Sequence, residues 1–196
     1  MTMTILIPVA LMLSYVLGSV PTGLWLGLWL RGIDIRKQGS GNIGATNTMR
    51  SLGKLYGLAA LVFDVFKGWL PVILFARLHS WEYLPVACGM AAILGHTFPI
   101  FLWFRGGKGV ATSAGVFLGL APMPMMVGAA VFFAVVAATR MVSAGSVAAA
   151  AAMSVAVFLF DIPWPVRWFT LAAAALIILR HHGNIRRMLR HEENKL

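Results

Sequence analysis

The sequence predicts an all-α integral membrane protein: a bundle of about seven transmembrane helices, N-terminus outside and C-terminus cytoplasmic, forming a single domain over 1–196. Three observations predict it. Of 196 residues, 60% are hydrophobic and only 11% charged, with a mean hydropathy of +0.84, a composition outside the soluble range. Apolar runs recur at 4–30, 55–77, 82–104, 109–121, 123–139, 142–161 and 165–182. The basic residues fall on alternate connections.

The first run has no charged leader and continues from Ile5 to Leu30 before the first basic residue, so it reads as an uncleaved span rather than a removed signal peptide. Polar breaks follow at Gly32 to Lys54, Arg77 to Trp81, Arg105 to Lys108, Arg140 to Ser143 and Asp161 to Arg167. Between the fourth and fifth runs, Pro122 and Pro124 mark either a turn between two helices or a kink within one. A five-span arrangement with a partly re-entrant 105–140 region keeps the same orientation.

With the N-terminus outside, 13 of the 16 basic residues are cytoplasmic: Arg31, Arg36, Lys37, Arg50, Lys54, Arg105, Lys108, Arg140, Arg180, Arg186, Arg187, Arg190 and Lys195. Arg77 and Arg167 lie outside and Lys67 within a span. The net charge of +10 is therefore topological, and no nucleic-acid partner is expected, because no basic helix or aromatic-basic platform stands apart from the apolar runs. Cys88, the single cysteine, sits in an apolar run and suits packing. The spacings Gly23-xxx-Gly27 and Gly115-xxx-Gly119 favour close helix approach, and the basic tail from Asn184 suits a short helix on anionic lipid.

Polar chemistry concentrates in three places. In Gly39 to Lys54, Gly39, Gly41 and Gly44 let backbone N–H groups approach a ligand, Ser40, Asn42, Thr46 and Asn47 offer hydrogen bonds, and Arg50 adds a bidentate fork. The set suits a phosphate. Its G-x-G-x-x-G spacing, with Asp64 downstream, imitates a dinucleotide fingerprint, but a span precedes it instead of a strand.

The second place follows His96. Gly106, Gly107 and Gly109 surround Lys108 and open a helix whose N-terminal dipole favours an anion, with Thr112 one turn on. It is no Walker loop, because Leu102 occupies the first glycine position. His96 within a span is either a hydrogen-bonded core residue or functional. The third place, Arg180 to Arg187, carries His181 and Asn184 at i, i+3, in a setting that also fits an ordinary basic anchor. Asp64 and Lys67, likewise i, i+3, read as a neutralising internal pair.

Taken together, Gly39-Ser-Gly-Asn-Ile-Gly-Ala-Thr-Asn-Thr-Met-Arg, Gly95-His-Thr-Phe-Pro with Gly106-Gly-Lys-Gly-Val-Ala-Thr, and Arg180-His with Asn184-Ile-Arg-Arg resemble the PlsY family of bacterial glycerol-3-phosphate acyltransferases over nearly the whole chain. The resemblance implies an enzyme of the bacterial inner membrane with its site facing the cytoplasm. Its substrates would be acyl phosphate and glycerol 3-phosphate, its products 1-acyl-glycerol 3-phosphate and inorganic phosphate, with functional coupling to the enzyme that makes acyl phosphate. It also implies site positions at Ser40, Asn42, Thr46, Asn47, Arg50, His96, Lys108, Thr112, His181 and Asn184. One departure is visible: where the third motif usually has a glycine ahead of its glutamate, His191 precedes Glu193.

Two phosphates must then be held at once, and two glycine-rich basic loops are available. An acyl phosphate already has a good leaving group, so positioning and charge neutralisation suffice for most of the rate. Arg50 and Lys108 are expected to bind phosphate oxygens and Ser40 to complete the cradle; His96, His181 or a substrate phosphate takes the proton. Ser40 as an acylated nucleophile is disfavoured, since no histidine lies near it in sequence. No histidine has an aspartate five residues on, as a His-x-x-x-x-Asp acyltransferase requires, and no metal or other cofactor is expected. The rival from another class, a small-anion transporter, would place its site near the bilayer midplane. A non-catalytic lipid-binding scaffold would tolerate changes at Ser40 and Arg50.

Overall fold

The structure, a computed structural model, describes the backbone of residues 2–196 and the side chains from Ile5 onward. The described residues form ten α-helices and three short 3-10 turns, with no strand among them. They divide into two compact units, one ending at Gly119 and the other covering Leu120 to Leu196.

In the first unit, α1 (Thr2–Ser19) and α2 (Thr22–Arg31) occupy the first apolar run. Proline lacks the N–H that would continue a helix, and the run breaks at Val20 and Pro21 into two helices bent by 48°. Left-handed Gly32 ends α2, its N–H returning to Gly27 and Leu28. A polar loop leads to α3 (Ala45–Leu52), then α4 (Lys54–Ile73), α5 (Leu84–Thr97) and α6 (Val110–Leu120). Glycines let these helices meet backbone to backbone. Gly18 of α1 lies against Ala92 of α5, and Gly95 against Tyr15; Gly68 of α4 meets Thr112 of α6, and Gly115 meets Val65. The Gly23-xxx-Gly27 face takes a different neighbour: Gly23 abuts Ile43 and Thr48, and Gly27 abuts Ile33, so it receives the polar loop and α3.

The second unit holds α7 (Pro122–Thr139), α8 (Val142–Ala156), α9 (Trp164–Arg180) and α10 (His182–Leu189). Pro122 and Pro124 start α7, which resolves the 109–139 region into two helices broken at Ala121. Left-handed Arg140 turns α7 back on α8, where Gly128 meets Met153 and Gly145 meets Phe132. Arg167 ties the start of α9, donating to the carbonyls of Ile162 and Phe160 and lying over the rings of Trp164 and Phe158.

Every apolar run of the sequence contains a helix, but their lengths differ. Lys54–Leu78, Leu84–Leu102 and Pro122–Thr139 are long and apolar enough to cross a membrane, and the bent α1–α2 pair qualifies if counted as one span. Val110–Leu120 and Val142–Ala156 are shorter. At about 1.5 Å per residue, 11 residues reach about half of a ~30 Å hydrocarbon core. Exposed apolar side chains such as Leu58 and Phe63 of α4, and Met126 and Phe133 of α7, suit lipid contact.

Candidate active site

The first loop is stitched from inside by one residue. Asn47 is 1% exposed; its Oδ1 accepts from Ser40 N–H at 2.8 Å, and its Nδ2 donates to the carbonyls of Ile35 (2.8 Å), Gln38 (3.2 Å) and Asn42 (2.8 Å). A β-carbon at Gly39, which is left-handed, would run into Asn47 Oδ1. Asn42 Oδ1 accepts from Gly44 N–H at 2.9 Å, and Thr48 donates to Gly44 O, which fixes the chain as it enters α3. Leu24, Ile35 and Ile43 form a small core beneath the loop. This scaffold leaves Ser40 and Arg50 exposed and Thr46 half-buried on the first turn of α3.

The second loop is folded onto the C-terminus of α5. Gly107 N–H donates to His96 O at 3.1 Å and Gly106 N–H to Thr97 O at 3.2 Å. Any side chain at Gly106 would strike His96 O, and one at Gly107 would strike His96 Nε2. Before the loop, Trp103 and Phe104 hold φ of 50° and 62°, a conformation such residues rarely adopt. Lys108 is half-buried at the entry to α6. Thr97, Thr112 and Ser113 have buried hydroxyls without a hydrogen-bond partner among the described residues, and those of Thr97 and Ser113 flank left-handed Gly109. Two features knit this loop to the first: Leu102 packs on the Leu24–Ile35–Ile43 core, and Phe101 lies 5.6 Å from the Trp25 ring of α2.

Behind the second loop lies a buried charged cluster. Lys67 Nζ is 2.8 Å from Asp64 Oδ1 and donates to Val20 O at 2.7 Å, at the α1–α2 break. Thr22 Oγ1 donates to the same Asp64 oxygen at 3.3 Å, and His96 Nδ1 stands 3.8 Å from it. The internal pair expected from the sequence is therefore present, with His96 as its neighbour.

The third motif belongs to the second unit. His181, buried at the α9–α10 junction, has Nδ1 2.8 Å from Ile177 O; a carbonyl only accepts, so the proton is on Nδ1. Asn184 Nδ2 donates to Glu193 Oε1 at 2.7 Å, Ser143 donates to the same oxygen at 2.9 Å, and Arg187 Nε reaches Oε2 at 2.8 Å. Burial pushes the Glu193 carboxyl up, but the bonds from Asn184, Ser143 and Arg187 outweigh it and hold the group below its ordinary value. The tail is thus pinned: Leu196 N–H donates to Arg140 O. His191 takes φ 58°, the left-handed turn that a glycine adopts without strain, and Glu193 still reaches its partners.

Two of the expected site residues are bonded within the chain. Asn47 has its amide committed to the loop backbone, where it accepts the Ser40 N–H. Asn184 is oriented by Glu193, a residue given no role in the sequence reading. Thr97 and Ser113 were also missed, although each directly adjoins a singled-out residue, His96 and Thr112. Chemically, the first unit offers two glycine-rich loops, each entering a helix N-terminus, with Arg50 on the last turn of α3 and Lys108 at the entry to α6, a set of groups suited to anionic oxygens.

Comparison with known proteins agrees with that chemistry. A family model described as glycerol-3-phosphate acyltransferase matches residues 8–191. The chain is 47% identical over 182 residues to the glycerol-3-phosphate acyltransferase of Trichlorobacter lovleyi and 46% identical to that of Geobacter sulfurreducens, covering 93% of each chain in both cases. Among solved structures it is similar to PlsY, an integral membrane glycerol 3-phosphate acyltransferase. The TM-score is 0.91 to the glycerol 3-phosphate form and 0.88 to the lysophosphatidic acid form, at 34% identity, covering 97% of this chain and 95% of that one.

Proposed function

The chain belongs to the glycerol-3-phosphate acyltransferase family, and on that premise we propose that it takes the acyl group from acyl phosphate and places it on the 1-hydroxyl of glycerol 3-phosphate. It is an integral membrane acyltransferase of the PlsY type, acting at the first step of phospholipid synthesis. The hydroxyl oxygen attacks the acyl carbon, the bond from that carbon to the bridging phosphate oxygen breaks, and lysophosphatidic acid and inorganic phosphate leave. The proton passes to an imidazole nitrogen, of His96 or His181, or to a phosphate oxygen of the substrate.

The observation that carries this reading is the pairing of two cationic glycine loops on one scaffold. Each substrate brings a phosphate, and each loop has the donors for one. In this reading Arg50, Ser40, Gly39, Gly41, Asn42, Gly44 and Thr46 cradle one anion, and Lys108 with Gly106, Gly107, Gly109 and the hydroxyl of Thr112 takes the other. Asn47 shapes the first cradle from behind, and the sequence resemblance alone gives His181 and Asn184 their place in the reading. Charge neutralisation of the departing phosphate, rather than activation of a nucleophile, supplies most of the barrier reduction. The acyl chain lies among the apolar helices.

The same reading sets the loops at the cytoplasmic face of a bacterial inner membrane, in a bundle of about seven spans with the N-terminus outside; the 13 of 16 basic residues on that side support it. The enzyme that makes acyl phosphate would then deliver its product to this face. The test presents purified protein with glycerol 3-phosphate and, in parallel, acyl phosphate, acyl-CoA or an acylated carrier protein. Product from acyl phosphate alone is expected; product from a thioester and none from acyl phosphate overturns the donor assignment.

A further inference from the structure

A carboxylate and an ammonium buried in an apolar helix do not stabilise it well, because their desolvation offsets their attraction. Asp64 and Lys67 are 1% and 3% exposed, at the heart of the first unit. A purely neutralising pair would need no third partner, yet Asp64 Oδ1 is the meeting point of three: Lys67 Nζ at 2.8 Å, Thr22 Oγ1 at 3.3 Å and His96 Nδ1 at 3.8 Å. Lys67 and Thr22 hold that oxygen in place, one through the carbonyl of Val20, the other from the first turn of α2. The carboxylate position is therefore set by α4, the first turn of α2 and the α1–α2 break before the imidazole is considered.

The imidazole itself is confined on the other side. Its Nε2 presses against Gly107, where any β-carbon would overlap it, and its own carbonyl accepts Gly107 N–H. The ring cannot turn over without moving the loop. A lone pair on Nδ1 facing a carboxylate oxygen is repulsive, whereas an N–H there is attracted to it, so the side on which Asp64 sits decides which nitrogen carries the proton. The charges on the Nδ1 side are Asp64 and, bonded to it, Lys67, both from α4, while Lys108 follows Gly107 in the loop.

We propose that Asp64 is a positioning residue: its carboxylate, fixed by Lys67 and Thr22, keeps the His96 proton on Nδ1 and so presents an unprotonated Nε2 to the Gly106–Lys108 loop. The functional consequence rests on the acyl-transfer reading above, in which that loop holds a substrate phosphate. Nε2 is then an acceptor for the attacking hydroxyl or for a proton shared with the bound phosphate. Asp64 never touches substrate.

The test begins with the unaltered full-length protein in detergent micelles, its histidines labelled with nitrogen-15 and the His96 signal assigned by its loss in His96→Gln. The neutral ring is expected as the Nδ1–H tautomer; the Nε2–H tautomer overturns the proposal. The charge-balanced double variant Asp64→Asn with Lys67→Met then removes the carboxylate without stranding its partner. Its kcat is expected to fall about 10–100-fold, with both KM values within about threefold, and the His96 tautomer to become mixed. Unchanged kcat, or an unchanged Nδ1–H tautomer in that variant, overturns the proposal. If the unaltered protein makes no product from acyl phosphate, the functional reading fails while the tautomer measurement still decides the role of Asp64.

Discussion

Replacing Asn47 by alanine separates a residue that binds substrate from one that holds the loop that binds it. The amide makes four hydrogen bonds of 2.8 to 3.2 Å and is almost wholly buried. Its two amide hydrogens and one oxygen provide three full bonding capacities, and each net bond contributes about 1 kcal/mol, so Asn47→Ala should lower stability by about 3 kcal/mol. The carbonyls of Gln38 and Asn42 can turn to water, which keeps the figure from rising further. With the Ser40 N–H released, the first loop loses its register; a displacement of about 1 Å at a reacting centre can cost about 100-fold in rate, so kcat/KM for glycerol 3-phosphate should fall by that order. Asn47→Asp sharpens the case. It keeps the acceptor for Ser40 but sets a carboxylate against three carbonyl oxygens, and should be no better than alanine. The assays are thermal unfolding in detergent and initial rates against glycerol 3-phosphate. A variant as stable as the parent with a raised KM alone would refute the reasoning and return Asn47 to the substrate.

Other outcomes follow from the same geometry. Gly107→Ala puts a methyl group where His96 Nε2 now sits, so turnover should fall at least about 100-fold, while Gly32→Ala, at a position with open space around it, should affect stability only through its left-handed φ, by about 1 kcal/mol. Arg50→Lys, losing the planar fork, should raise KM for glycerol 3-phosphate about tenfold or more, and full turnover in both Arg50→Lys and Ser40→Ala would remove these residues from the site. His191→Gly should raise the unfolding free energy by about 1 kcal/mol, because the histidine now holds a left-handed φ of 58°; no gain would mean that its side chain compensates. Glu193→Gln should cost about 2 kcal/mol at neutral pH. Because the folded-state carboxyl titrates below the ordinary 4.5, its contribution is complete above that value and is lost as pH falls through the lower folded value, so the parent and variant should converge in acid; a gap that widens in acid contradicts the assigned shift.

The apolar runs and the three polar places were legible because each is local: hydrophobicity and glycine spacing are properties of neighbouring residues. What escaped was long-range. Asp64 and Lys67 could be paired from their i, i+3 spacing, but His96, 32 residues after Asp64, joins them only through the packing of α4 and α5. Pro21 marked the break inside the first apolar run, but not what would meet the Val20 carbonyl there, which accepts locally from Thr22 N–H and, across the fold, from the Lys67 ammonium. Asn47 has the same side chain whether it binds a ligand or a loop, and four partners between Ile35 and Asn42 decide which. In the tail, His191 stands where the motif usually has a glycine, yet histidine tolerates the left-handed turn well enough for Glu193 to reach Asn184.

Acyl phosphate carrying oxygen-18 at the bridging position, turned over by the purified protein with glycerol 3-phosphate, tests most directly whether two phosphates are brought together for attack at the acyl carbon. Lysophosphatidic acid and inorganic phosphate should appear in equal amounts, with the label in the phosphate. No lysophosphatidic acid, or label retained in the lipid, would contradict it.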